Sequence, residues 1–207
     1  MILIVDNYDS FTYNLVNIVA AYTDVVVKYP DDPTVFDLQP DALIISPGPG
    51  HPEDTDDLNR IIKHFEDLPI LGICLGAQAL TCYYKGHVIQ GASVLHGKID
   101  TMHQLKPTVL YEGLPEAFKI MRYHSLISDP ETFPESLVIT GETTDCIQSF
   151  EHQDKPHYGI QYHPESFATE HGTEIIHNFI KLVEKGASSH DTYSKNPNTT
   201  ELNATRH

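Results

Sequence analysis

Tryptophan is absent, cysteine occurs three times, and basic residues number 13 against 29 acidic ones. Each scarcity excludes something. A formal net charge of -16 leaves no broad basic surface for a nucleic acid or an anionic membrane. Cys74, Cys82 and Cys146 form no spacing framework for disulfides, which points to a reducing compartment. Metal-ligand spacings of the Cys-x-x-Cys, His-Glu-x-x-His or His-x-His kind are missing, so no metal is expected. No apolar stretch approaches the ~18 residues of a membrane span. The opening Met1-Ile-Leu-Ile-Val5 is too short for a secretory leader and no basic region precedes it, so a cytoplasmic protein is expected. What remains suits one domain with a real core: 207 residues, 40% of them hydrophobic.

Four short apolar runs lack alternation: Ile2 to Val5, Val25 to Val27, Ala42 to Ile45 and Ile70 to Ile73. Such runs read as strands buried on both faces of a parallel sheet. Between them, Thr12 to Tyr22 and Thr55 to Glu66 carry apolar residues at helical spacing, and a last helix is expected over Gly172 to Glu184. The alternation predicts an α/β fold, mostly parallel, with helices on both faces. From Val88 to Ile160 the pieces are shorter and β-like, including Ser93 to Met102, Thr108 to Tyr111 and Cys146 to Phe150, which predicts an added antiparallel part. The domain is therefore expected over residues 1–186. Residues 187–207 are rich in Ser, Thr, Asn and His and read as a disordered tail. Its sequons at Asn198 and Asn203 are chance matches in a cytoplasmic protein.

The sharpest local signal is Gly72-Ile-Cys-Leu-Gly76, between an apolar strand and a helical segment that includes Gln78. This is a nucleophile elbow with cysteine at its centre. The glycines permit a sharp turn that exposes Cys74. The following helix aims its amides at the sulfur, favouring a thiolate, and the Leu75 amide is placed to donate to an oxyanion. A lone cysteine is more often a small buried hydrophobe, and that reading is kept for Cys82 and Cys146. Gln78 lies one helical turn beyond Cys74 on the same side, where an amide either binds a polar substrate or faces solvent.

A cysteine nucleophile needs a base. Among 13 histidines, His163 stands out in Tyr158-Gly-Ile-Gln-Tyr-His-Pro-Glu-Ser166, at the end of an apolar strand. Glu165 is two residues on. In an extended chain such residues share a face, so its carboxylate can orient His163 and stabilise the imidazolium. Ser46-Pro-Gly-Pro-Gly50 follows a buried strand and would sit at the same sheet edge. Read alone it is a rigid turn, while beside Cys74 the Gly50 amide could complete an oxyanion hole.

Together, Ser46-Pro-Gly-Pro-Gly50, Gly72-Ile-Cys-Leu-Gly-Ala-Gln78 and His163-Pro-Glu165 resemble the class I, triad-type glutamine amidotransferases. The resemblance covers residues 1–186. Asp6 to Leu15, His96-Gly-Lys98 and Arg122-Tyr-His-Ser-Leu126 bring it nearest to the small-subunit branch shared by anthranilate synthase and aminodeoxychorismate synthase. Ala77 departs from the pattern, since many relatives carry His there. The family implies a flavodoxin-like fold in which Cys74 attacks the glutamine amide, His163 moves protons and Glu165 orients His163. It further implies an oxyanion hole at Gly50 and Leu75, and a glutamine pocket of Gly48, Pro49, Gly50, Gln78, Ser125 and Leu126. Asp9 to Thr12 would face a partner, and locally Ser10 or Thr12 would cap the first helix. The implied partner is a chorismate-binding large subunit that receives ammonia and holds any Mg²⁺, with no cofactor in this chain. Anthranilate, for tryptophan biosynthesis, is the expected product. Aminodeoxychorismate for folate is the alternative, and a stand-alone γ-glutamyl cysteine hydrolase a further rival.

Overall fold

The computed structural model describes residues 1–193, with side chains through 186. Four strands begin the fold: β1 (Ile2–Val5), β2 (Val25–Lys28), β3 (Ala42–Ile45) and β4 (Ile70–Ile73). Their side chains divide between two cores. Ile2, Ile4, Ala42, Ile44, Leu71 and Ile73 enter one, and Leu3, Val5, Leu43, Ile45 and Ile70 the other. That division is why no polar alternation appears in these runs. Helices α1 (Thr12–Ala20) and α4 (Gly172–Tyr193) cover the first core through Leu15, Val19, Ile176, Phe179 and Ile180. Helices α2 (Asp57–His64) and α3 (Leu75–Tyr83) cover the second through Leu58, Ile61, Ile62 and Leu80. Each fully buried Leu or Ile contributes roughly 1.5–3 kcal/mol. Among the described residues, no helix is long and apolar enough to cross a membrane.

The remaining strands are β5 (Val88–Gln90), β6 (Lys98–Gln104), β7 (Ala117–Arg122), β8 (Leu126–Ser128), β9 (Leu137–Glu142), β10 (Ile147–His152) and β11 (His157–Ile160). The main sheet runs β2-β1-β3-β4-β11-β10-β9-β6-β7, with β5 and β8 forming a separate pair. The first five strands are parallel in flavodoxin-like order, and the last four are antiparallel. The fold is therefore the expected α/β sheet flanked by helices, with antiparallel strands that extend the main sheet as well as forming a small one. The register places Val5, Ile45, Gly72 and Gly159 in one row. The chain leaves β1, β3, β4 and β11 at one edge, beside the point where strand order reverses, and there such folds bind ligands.

Four local expectations change. Thr108 to Tyr111 is not a strand: Val109–Tyr111 is a 3-10 turn, whose Leu110 and Tyr111 plug the core as a cap does. The strand expected from Ser93 begins at Lys98, because Gly97 holds a φ of 80°. Neither Ser10 nor Thr12 caps α1. Phe11 occupies that position, and Thr12 Oγ1 instead donates to Asp6 Oδ1 at 2.9 Å. Finally, α4 passes both Glu184 and the expected boundary at 186, reaching Tyr193. Gly186 alone does not stop a helix, since propagation is favourable once nucleated and no proline follows until Pro197. The rest of the expected tail, 194–207, with both sequons, lies outside the described residues.

Candidate active site

Cys74 caps α3 directly after β4, with φ 52° and ψ -104°. A non-glycine residue held there costs on the order of 1–3 kcal/mol, and such strain gathers at functional turns. The neighbouring glycines are steric necessities. A Cβ on Gly72 would lie 2.4 Å from the Gly76 carbonyl oxygen, and one on Gly76 would lie 2.3 Å from that of Ile45. The backbone N–H of Cys74 donates to the Ile160 oxygen at 2.8 Å, which ties the elbow to β11.

His163 is three residues beyond the end of β11. It and Glu165 are 5% and 7% exposed. His163 Nδ1 and Glu165 Oε1 are 2.5 Å apart. The pairing is as expected, but its backbone basis is not. Residues 164–165 lie in a turn rather than an extended strand, and Ser166 N–H donates to the His163 oxygen at 3.3 Å. Two more bonds fix the histidine backbone: His163 N–H to the Met121 oxygen at 3.1 Å, and Thr169 Oγ1 to the His163 oxygen at 2.6 Å. Burial pulls the imidazole down, but hydrogen bonding to Cys74 and Glu165, with their charges, outweighs it and raises the group to about 10. His163 thus has the Glu165 carboxylate at Nδ1 and shares a cavity with Cys74.

A cavity of about 280 Å³ opens over these groups, lined by Tyr8, Asp9, Pro47, Gly48, Pro49, Cys74, Tyr123 and His163 among others. Burial, reinforced by the charge of Glu165, holds the Asp9 carboxyl above its usual range despite a bond from Phe11 N–H. Tyr123 sets its ring edge-on to His163, with centroids 5.1 Å apart.

Of the residues singled out in the sequence, Cys74, His163, Gly48 and Pro49 meet in this cavity, and Glu165 stands behind His163. Gly50, Leu75, Gln78, Ser125 and Leu126 do not line it. Gly50 adopts a φ of 83°, where a Cβ would press within 2.6 Å of the Asp54 carboxylate. Gln78 is buried, and its Nε2 donates to the Leu126 oxygen at 3.0 Å and to Gln161 Oε1 at 3.2 Å. The Ser125 oxygen accepts from Gly91 N–H at 2.7 Å and from Gln90 Nε2 at 3.2 Å.

Sequence reasoning missed three contributors. Gln161 Nε2 lies 3.6 Å from Cys74 Sγ. Asn7 clamps the Ser46 loop through its backbone and side chain. Arg122, fully buried, binds Asp145 through two 2.9 Å bonds and Asp100 at 2.8 Å. A polar residue closing an apolar strand beside a candidate base was the available signal for Gln161.

At this sheet edge a cysteine on a strained elbow shares a cavity with a histidine that is paired to a buried glutamate. The class-I glutamine amidotransferase family model matches residues 3–183, and the chain belongs to that family. Anthranilate synthase component 2 of Lactococcus lactis subsp. lactis (strain IL1403) is 41% identical over 194 residues, covering 91% of this chain and 98% of the relative. The aminodeoxychorismate/anthranilate synthase component 2 of Bacillus subtilis (strain 168) is 40% identical, covering 89% and 98%. Among solved structures, a putative GMP synthase protein from Thermoplasma acidophilum superposes with a TM-score of 0.83 at 24% identity, covering 92% and 96%, which supports the fold. The chain is a glutamine amidotransferase subunit.

Proposed function

We propose that Cys74, His163 and Glu165 form a triad that hydrolyses glutamine and that the ammonia passes to a chorismate-binding large subunit to make anthranilate. The observation that carries the reading is the His163–Glu165 pair, 2.5 Å apart, whose histidine lines one cavity with Cys74. In this mechanism the Cys74 sulfur attacks the side-chain carbonyl carbon of glutamine. The backbone amides of Leu75 and Gly50 hold the developing oxyanion. As the C–N bond breaks, His163 protonates the departing nitrogen, giving ammonia and a glutamyl thioester. Water then attacks the thioester and gives a proton to His163. The C–S bond breaks, its electron pair returns to sulfur, and glutamate leaves. Glu165 keeps the imidazole oriented and its cation stabilised throughout.

The same reading gives Gly48, Pro49, Gly50, Gln78, Ser125 and Leu126 contact with glutamine. It assigns no cofactor to this chain and any Mg²⁺ to the partner. It places the complex in the cytoplasm and in tryptophan biosynthesis. A second product, aminodeoxychorismate for folate, is favoured by the Bacillus subtilis relative, whose name carries both activities.

The test is reconstitution with each large subunit in turn, supplied with glutamine and chorismate. Anthranilate is the expected product, and coupling only to the aminodeoxychorismate partner reverses the assignment. Cys74→Ser is expected to abolish glutamine-dependent synthesis while sparing synthesis from ammonium salts. Glutaminase activity that is high in isolation and indifferent to either partner points to a stand-alone hydrolase.

A further inference from the structure

From Cys74 a chain of hydrogen bonds runs through residues that do not line its cavity. It begins with Gln161 Nε2, 3.6 Å from Cys74 Sγ. Gln161 Oε1 accepts from Gln78 Nε2 at 3.2 Å, and the same Gln78 nitrogen donates to the Leu126 oxygen at 3.0 Å. That oxygen also pairs with His124 Nδ1 at 3.0 Å. His124 Nε2 in turn accepts from Arg122 Nε at 3.3 Å. Arg122 ends the chain on Asp100 and Asp145.

An amide side chain has a donor end and an acceptor end, and only its partners say which is which. Here the partners leave one solution. A backbone carbonyl can only accept, so the end of Gln78 at Leu126 is its NH₂. That NH₂ also reaches Gln161, so the near end of Gln161 is its oxygen. The far end, against the sulfur, is therefore a donor. At the other terminus a guanidinium can only donate, so His124 presents a bare Nε2 to Arg122 and carries its proton on Nδ1, toward Leu126. His124 stays neutral because burial, aided by the Arg122 charge, pushes it down to about 4. Two groups of fixed polarity thus agree on the orientation of everything between them.

We propose that Gln161 is a further catalytic residue, whose side-chain amide donates to the Cys74 sulfur and stabilises it as the thiolate. The inference rests on Cys74 being the nucleophile. A thiolate accepts a hydrogen bond far better than a thiol or a thioester sulfur does, so the donor favours the states in which sulfur carries charge. Charge sits on sulfur when it attacks, and again when the thioester C–S bond breaks and its electron pair returns to sulfur. Gln161 approaches from β11, on the protein side, whereas His163 shares the cavity with the substrate. The sulfur keeps a fixed donor after His163 has given its proton to ammonia. Gln78, Leu126 and His124 are positioning groups for that donor.

The experiment is alkylation of the full chain by iodoacetamide across pH 5 to 10, read at Cys74 by peptide mass spectrometry. It needs neither glutamine nor partner. Cys82 and Cys146 serve as internal controls, since burial above all pushes their thiols up to about 12 and about 11. Tyr8, Asp9, Tyr123 and His163 line the cavity with Cys74, Glu165 stands behind His163, and all remain in every variant. Gln161→Met removes the donor at similar volume. Gln161→Leu, also neutral and without a donor, serves if the Met variant misfolds. Both are expected to alkylate about tenfold more slowly at pH 7, with the Cys74 profile displaced by about one pH unit to higher pH. A merely structural role predicts that a neutral variant, with its fold intact by thermal melt, follows the wild-type profile, and that result overturns the inference. Wild-type Cys74 reacting no faster than Cys82 overturns the nucleophile reading itself, a failure distinct from the first.

Discussion

Asn7 and Ser46 lock the ends of β1 and β3 together: Asn7 N–H donates to Ser46 Oγ at 2.9 Å, and Asn7 Nδ2 donates to the Ser46 carbonyl oxygen at 2.8 Å. Ser46 Oγ then donates to the Pro47 oxygen at 2.7 Å. These bonds aim the Pro47-Gly48-Pro49 wall at Cys74. Asn7→Leu keeps the backbone bond to Ser46 Oγ but takes the side-chain donor from the buried Ser46 carbonyl oxygen, at a cost of about 1–3 kcal/mol. The expected outcome is that loss in urea unfolding, with KM for glutamine raised more than kcat is lowered. An unchanged KM in a stable Asn7→Leu protein contradicts the proposed wall.

The Glu165 carboxylate touches His163 and does not line the cavity with Cys74. Its expected role is orientation and charge stabilisation. Glu165→Gln is expected to slow single-turnover thioester formation by about 10- to 1000-fold, and His163→Ala to slow it further. Equal losses in quenched-flow measurements would mean that Glu165 takes a direct part in proton transfer.

Gly76 has no space for a side chain, because Ile45 backbone lies where its Cβ would go. Gly76→Ala must move either β3 or the start of α3. A drop of about 3 kcal/mol or more in unfolding free energy is expected, with Cys74 reactivity lost even in the fraction that stays folded. Wild-type alkylation of Cys74 in this variant counts against the elbow as the source of that reactivity.

Stability is expected to fall on the acid side below pH 6.5. His124 and His157 are buried, and burial, first among the causes, lowers both to about 4. A histidine with a lower pKa in the folded state binds fewer protons there than in the unfolded chain. Its stabilising contribution is therefore complete above about pH 6.5 and is lost progressively between 6.5 and 4. Each contributes a slope of up to about 1.4 kcal/mol per pH unit. Urea unfolding from pH 7 to 4.5 measures the slope. His157→Asn is expected to make it about half as steep, and an unchanged slope sinks the assignment.

Much of this was legible in the chain because it rests on local chemistry. The parallel strands read as unalternating apolar runs since both faces are buried. The elbow read from Gly72, Cys74 and Gly76 because only glycine fits beside those carbonyl oxygens. His163 and Glu165 read correctly as a pair, though a turn joins them rather than an extended strand. The missed features are long-range. Gln161 carries only a weak local mark, its place beside a candidate base, since its partners Cys74 and Gln78 lie 87 and 83 residues away. In the sequence Arg122 is only one residue of a family motif, and its burial depends on Asp100 of β6 and Asp145 of the turn after β9. The Val109–Tyr111 turn has the apolar composition of a strand, and only its packing under α4 distinguishes it.

The position of β11 in the sheet has a consequence for how the protein comes into being. It pairs with β4 on one side and β10 on the other, so the parallel half and the antiparallel half of the sheet meet only through it. Among the described residues it is also the last strand, ending three residues before His163. During synthesis, both halves of the sheet leave the ribosome before the strand that joins them. Cys74 emerges long before its base. A nascent or truncated chain can therefore hold the elbow without holding the catalyst. Strand insertion is the event that couples completion of the sheet to the meeting of Cys74 with His163.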